Sequence, residues 1–235
     1  MQSKKALIIC NGDPPIESLL YKLWEISDFR VAADGGANLL HSFNLIPDAI
    51  VGDFDSVKSK TKRYFSKSIF VHIREQNTND ADKAVRHCLK RGFNEINLIG
   101  ADGARQDQFL SNLEILLKYS SKARLILWSK IERMEFILDS WKGYIPIGTT
   151  ISLLPLFGGA KKVLTSGLEF EINNHAILPG KPPSGVSNIV KSNPVSISVK
   201  NGQILLIVQI SKKFFNNYFS NQYKNKNWSD NINKY

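Results

Sequence analysis

Over the first 140 residues, short β-branched and aliphatic runs alternate with segments of helical period, and this alternation dictates a sheet with helices packed on its faces. Strands are expected at 6–10, 29–33, 49–51, 69–73, 95–99 and 124–128, with helices at 16–26, 37–43, 58–65, 80–91 and 108–119. The fourth helix carries the clearest stripe. Ala81, Ala84, Val85, Cys88 and Leu89 recur at i, i+3, i+4, i+7 and i+8, and Gly92 stops the run. Beyond about residue 140 helical periodicity gives way to short Val/Ile/Leu/Thr runs punctuated by Gly, Pro and Asn. Strands are expected there at 149–156, 162–165, 168–172, 176–178, 185–190, 195–199 and 204–210, with Asn201-Gly202 as a hairpin turn. The chain therefore divides into an α/β domain over 1–140 with a central, mostly parallel sheet, a small all-β domain over 141–211, and an Asn/Lys-rich tail over 212–235. The tail holds seven Asn and reads as frayed, with a short helix over 214–219.

Thirty-one Lys+Arg against 21 Asp+Glu give a net charge of +10, which raises the question of a polyanionic partner. Divided along the chain, the excess is +3 over 1–150, +3 over 151–211 and +4 over 212–235. That scatter lacks the dense basic stripe that tracks a phosphate backbone, so nucleic acid is not the expected partner. Two cysteines, Cys10 and Cys88, both lie in apolar patterns, which excludes a disulfide scaffold and points to a reducing, cytoplasmic compartment. No apolar run reaches the roughly 20 residues of a membrane span. His41, His72, His87 and His175 show no metal-ligand spacing.

Four polar clusters follow expected strands, where open α/β sheets bind their ligands. Asp34-Gly35-Gly36 places paired glycines between strand and helix, a turn with a structural explanation and also a cradle for an anion. Gly52-Asp53-Phe54-Asp55-Ser56 offers two carboxylates. In an extended segment Asp53 and Asp55 share a face, with Phe54 pointing into the body, and a hard divalent cation relieves their repulsion. The plainer reading is one helix cap and one solvated carboxylate. Asp80 opens the amphipathic helix and is a third carboxylate for the same ion, and Lys83 stands one turn in, facing either phosphate or solvent. In the fourth cluster Arg105 supplies a planar fork suited to phosphate or to a local pair with Asp107. Gln108 and Asn112 follow on the helix that this turn opens.

In this order and spacing, Asp34-Gly35-Gly36, Gly52-Asp53-Phe54-Asp55-Ser56, Asn79-Asp80-x-x-Lys83-Ala84 and Gly103-x-Arg105-x-Asp107-Gln108-x-x-x-Asn112 resemble thiamine pyrophosphokinases. The resemblance continues through Ser166-Gly167-Leu168 and Ser187-Asn188. It implies a catalytic α/β domain followed by a β-sandwich that binds thiamine and dimerises, in a homodimer whose sites are shared between subunits. It implies pyrophosphoryl transfer from ATP to the hydroxyethyl group of thiamine, giving thiamine diphosphate and AMP. Within it, Asp53, Asp55 and Asp80 are expected to hold Mg²⁺, with Arg105 and Lys83 neutralising phosphate charge. Asp34, Gly35, Gly36, Asp107, Gln108 and Asn112 are expected at the nucleotide or thiamine, and Ser187 and Asn188 at the aminopyrimidine. The sequence departs from the family pattern in four places. Asn77 and Asn79 stand at Asp and Thr positions, losing a charge and a hydroxyl cap; Gln108 replaces a frequent His; Gly103-Ala104 replaces Gly-Gly; and Phe170 replaces Trp. A pyrophosphokinase for another alcohol, such as a pterin, and a non-catalytic nucleotide- or nucleic-acid-binding module are the alternatives.

Overall fold

The computed structural model describes residues 3–103 and 105–223, which fall into two compact units divided along the chain between Phe136 and Ile137. The first unit runs β1 (Lys5–Ile9), α1 (Glu17–Ile26), β2 (Phe29–Ala33), α2 (Gly36–Ser42), β3 (Ala49–Gly52), α3 (Ser59–Tyr64) and β4 (Ile69–His72). It continues through α4 (Asp80–Lys90), β5 (Glu95–Ile99), α5 (Gln106–Tyr119), β6 (Arg124–Trp128) and β7 (Glu132–Ile137). Its strands lie in the order β7-β6-β5-β1-β2-β3-β4, parallel except that β7 runs against β6.

The sequence accounts for how these strands are covered. Strands covered on both faces read as continuous apolar runs. Leu7, Ile8 and Ile9 of β1, Ile50 and Val51 of β3, and Ile126, Leu127 and Trp128 of β6 are fully buried. Each such aliphatic side chain contributes about 1.5–3 kcal/mol on burial. Helix α4 keeps its predicted stripe inward, with Ala81, Ala84, Val85 and Cys88 buried. The chain proceeds outward from β1 to β4 on one side and resumes at β5 on the other, so the order reverses between β1 and β5. In such sheets the crevice at the carboxyl ends of the strands is the place for a ligand.

The second unit is antiparallel. It comprises β8 (Ser140–Gly143), β9 (Thr150–Leu154), β10 (Ala160–Ser166), β11 (Asn173–Ile177), β12 (Gly185–Ile189), β13 (Val195–Gly202) and β14 (Ile204–Gln209), then α6 (Lys212–Tyr223). One sheet places β9 between β12 and β14; the other runs β11-β10-β13-β8. Alternating burial along β9 and β13 leaves one face of each sheet inward.

Several sequence expectations are corrected here. Asn201-Gly202 does not close a hairpin, because β13 pairs with β10 and β8 while β14 pairs with β9, and the chain changes sheets at this corner. Residues 168–172 form no strand beyond an isolated bridge from Leu168 to Val190. Strand β7 was concealed by its charges: Arg133 and Glu135 are buried and paired with each other, and Glu135 also accepts from Arg124 at 2.7 Å. The start of the tail is a helix with Phe214 and Phe219 buried, longer than the expected 214–219, while residues 224–235 lie outside those described. Among the described residues no helix is long and apolar enough to cross a membrane.

Candidate active site

Three aspartates from three separate segments converge beyond the ends of β2 and β3. One carboxylate oxygen each of Asp34, Asp53 and Asp80 lies within 4.8 Å of the others. Asp34 follows β2 with φ 41°, a left-handed conformation that Asp tolerates better than most residues. Its N–H donates to Val51 O at 2.9 Å, and its Oδ2 accepts from Ser56 N at 3.1 Å. Its Oδ1 is buried and has no hydrogen-bond partner among the described residues. Two glycines make room for this packing. A Cβ on Gly52 would fall 2.8 Å from Asp34 Cβ, and one on Gly36 would fall 2.1 Å from Ile9 O. Burial, and then repulsion from Asp80, pushes the Asp34 carboxyl above the ordinary carboxylate range.

Asp53 sits just past β3. Gln76 Nε2 donates to its Oδ2 at 3.2 Å, and Lys83 Nζ approaches the same oxygen at 3.4 Å. Partial burial works against its ionisation, but the Asp55 N–H and Lys83 outweigh it and hold the carboxyl below its usual value. Asp80, in the first turn of α4, accepts from Lys83 Nζ at 2.9 Å. Lys83 itself is only 2% exposed. Desolvation opposes its charge, yet the two aspartates prevail and raise its pKa.

Asp55 lies outside this trio. The extended alternation that places Asp53 and Asp55 on one face is interrupted at Phe54, whose φ is 68°. Asp55 is exposed, and its Oδ1 accepts from Ser56 Oγ at 2.8 Å. Phe54 is likewise half-exposed instead of pointing into the body; its ring stacks on His72.

The start of α4 is capped by Asn79, whose Oδ1 accepts from Asp82 N at 2.9 Å, so the missing hydroxyl is replaced by an amide oxygen. The other side of that amide donates to Asn112 Oδ1 at 3.2 Å, and Asn112 Nδ2 donates to Ala101 O at 2.7 Å. Asn112 thus fastens the loop after β5 to the mouth of α4. Arg105 and Asp107 form a bidentate pair at 2.6 and 3.2 Å, both well exposed, and Gln108 is exposed beside them.

In the second unit Asn188 is buried. Its Oδ1 accepts from Phe170 N at 3.0 Å and its Nδ2 donates to Phe170 O at 2.6 Å. This clamp presents the Phe170 ring, 68% exposed, on a cavity of about 380 Å³ lined also by Glu171, His175, Ser184 and Val186. Ser187 is exposed with φ 58°, and its N–H donates to Ser152 Oγ at 3.0 Å.

Residues 20–127 match the family model for the thiamin pyrophosphokinase catalytic domain, and residues 139–204 match that for the thiamin pyrophosphokinase vitamin B1 binding domain. The chain belongs to the thiamin pyrophosphokinase family. Among members of that family, thiamine pyrophosphokinase 1 of Arabidopsis thaliana is 25% identical over 239 residues, covering 89% of this chain and 88% of the relative. Thiamine pyrophosphokinase of Bacillus subtilis is 26% identical over 189 residues, covering 75% and 85%. The fold is shared with crystal structures of thiamine pyrophosphokinases from B. subtilis, with a TM-score of 0.77 at 23% identity over 88% of this chain and all of that one, and from yeast, with 0.79 at 19% over 93% and 90%.

Around the three carboxylates lie residues to which sequence reasoning assigned no role. Gln76 bears on Asp53, and the loop after β1 lies against the loop after β5, with Gly12 N donating to Gly100 O at 2.7 Å and Asp13 N to Asp102 O at 2.9 Å. The signal for that loop was its position: Asn11-Gly12-Asp13 follows the strand at which the sheet order reverses.

Proposed function

We propose that this chain transfers the pyrophosphoryl group of ATP to the hydroxyethyl oxygen of thiamine, giving thiamine diphosphate and AMP. The observation that carries the reading is the convergence of Asp34, Asp53 and Asp80 at the strand ends of a thiamin pyrophosphokinase catalytic domain.

The donor set fits Mg²⁺, because it is made of carboxylate oxygens and includes the buried, unpartnered Asp34 Oδ1. When bound, the cation neutralises phosphate charge and orients the nucleotide. The chain's own part is positioning and electrostatics, which is most of what phosphoryl-type transfer requires. Lys83 pairs with both Asp53 and Asp80, helps to hold the Asp53 carboxyl below its usual value and supplies a fixed positive charge beside them. Arg105, on the turn that opens α5, leaves Asp107 to take the phosphate chain with its planar fork. Asp55, exposed on the same loop as Asp53, accepts the proton of the thiamine hydroxyl. Phe170 offers its face to the cationic, planar acceptor, and Asn188 fixes that ring. In this proposal two copies of the chain associate, the β unit of one serving the carboxylates of the other, in the cytoplasm.

The test is to incubate the protein with Mg-ATP and thiamine and to separate the nucleotides. AMP formed in step with thiamine diphosphate is expected; ADP, or AMP indifferent to thiamine, overturns the reading. A panel of alcohols that includes a pterin decides the acceptor.

A further inference from the structure

We propose that Phe54 is the positioning residue of the carboxylate trio, its ring held for that purpose by His72 and Phe70 of the edge strand β4. This rests on the metal reading above.

Phe54 separates Asp53 from Asp55 and adopts φ 68°, where a bulky side chain is rarely found. Such a conformation persists only when its surroundings over-determine it. Here they do so from three sides. The Phe54 ring stacks on His72 at 5.3 Å and 25°, and meets Phe70 edge-on at 5.4 Å and 78°. Lys62, from α3, donates its Nζ to Phe54 O at 2.8 Å and lies 6.0 Å from the ring centroid. The parallel register sets Gly52 beside His72, and Ile73 N donates to Gly52 O at 2.8 Å, so the anchoring rings stand where β3 ends.

The turn at Phe54 decides which aspartate joins the trio. With this residue left-handed, Asp53 meets Asp34 and Asp80 while Asp55 pairs outward with Ser56. An extended residue would restore the alternation that sets both aspartates on one face. The edge strand thus supplies no ligand but fixes the geometry of one.

The experiment uses the full chain and Mg²⁺ alone, titrated by calorimetry and by the Mg²⁺-dependent rise in Tm, together with kcat and KM for Mg-ATP and thiamine. In His72→Leu and Phe54→Leu the Mg²⁺ dissociation constant is expected to rise about tenfold or more, with KM for thiamine unchanged. His72→Phe and Phe54→Tyr, which keep the stack, are expected to stay within about twofold of the parent, well short of a positioning loss. Phe54→Gly relaxes the backbone but removes the ring, and is expected to bind Mg²⁺ as poorly as Phe54→Leu. If Phe54→Leu does not fold, His72→Leu decides. Folded leucine variants with parental Mg²⁺ affinity overturn the proposal while leaving the metal reading intact. A parent protein that shows no Mg²⁺ binding overturns both.

Discussion

Lys83 and Asp80, one turn apart on α4, meet at 2.9 Å, and the same ammonium reaches Asp53 at 3.4 Å. Lys83 thus sets one positive charge against two of the three clustered carboxylates. Losing one partner of a fully buried pair costs about 3–5 kcal/mol. Asp80 is a third exposed, so solvent screening reduces the expected loss in Lys83→Met to about 1–3 kcal/mol. Thermal denaturation should show a deficit of several degrees without Mg²⁺ that narrows at saturating Mg²⁺, because the cation then neutralises the same oxygens. A deficit indifferent to Mg²⁺ means that Lys83 and the metal do not act on common carboxylates.

Asp34 and Asp55 separate the metal site from its surroundings. Asp34→Asn removes a desolvated charge with one unpartnered oxygen, so the metal-free protein should gain about 1 kcal/mol. The same change should abolish the Mg²⁺-dependent rise in Tm and lower turnover by about 100-fold or more. Asp55→Asn, at an exposed side chain, should keep that Mg²⁺-dependent rise while losing turnover. If the two phenotypes are exchanged, Asp55 belongs to the metal and Asp34 does not.

What the sequence disclosed, and what it hid, divides along physical lines. Strands β1, β3 and β6 were legible because their apolar runs are continuous. Strand β7 was not, since Arg133 and Glu135 satisfy each other inside the fold and so look like loop charges in the sequence. The aspartates were legible as a set of metal candidates, but their grouping was not. Asp34 joins the trio through the side-by-side pairing of β2 and β3, and Asp55 is turned outward by one left-handed residue. Both facts belong to tertiary structure, beyond the reach of spacing. The Asn201-Gly202 pair misled for the same reason, because turn chemistry is local whereas the choice of sheet is not.

Arg105→Ala tests charge neutralisation without disturbing the fold. The side chain is exposed and paired at the surface with Asp107, so the Tm should hardly move. If the guanidinium serves the transferring group, kcat should fall about 100-fold while the Mg²⁺-dependent rise in Tm is kept. A variant with parental kcat leaves Arg105 as a surface partner of Asp107.

Asn188→Ala removes both hydrogen bonds that clamp the Phe170 backbone. Leaving those groups unpaired should cost about 1–3 kcal/mol. With the ring no longer fixed on the cavity, KM for thiamine should rise while KM for Mg-ATP is unchanged. A change in the nucleotide KM alone would place Asn188 in a different role.

His87 gives the fold a dependence on pH that is separate from catalysis. It is partly buried near the end of α4, stacks on Phe29 at 6.1 Å, and its Nε2 accepts from Arg91 Nε at 2.8 Å. Burial first, and then the nearby charges of Arg91 and Lys90, lower its pKa from the ordinary 6.5. A histidine with a depressed folded pKa binds fewer protons folded than unfolded, so stability rises with pH across that window. The contribution is complete above pH 6.5 and is lost as pH falls through the lower, folded value. His87→Gln keeps an acceptor for Arg91 but cannot titrate. Urea unfolding at pH 7.5 and at 5.5, conditions on either side of about 6.5, should therefore show the parent losing more stability than the variant on acidification. Equal losses in the two proteins would remove His87 from the acid limb.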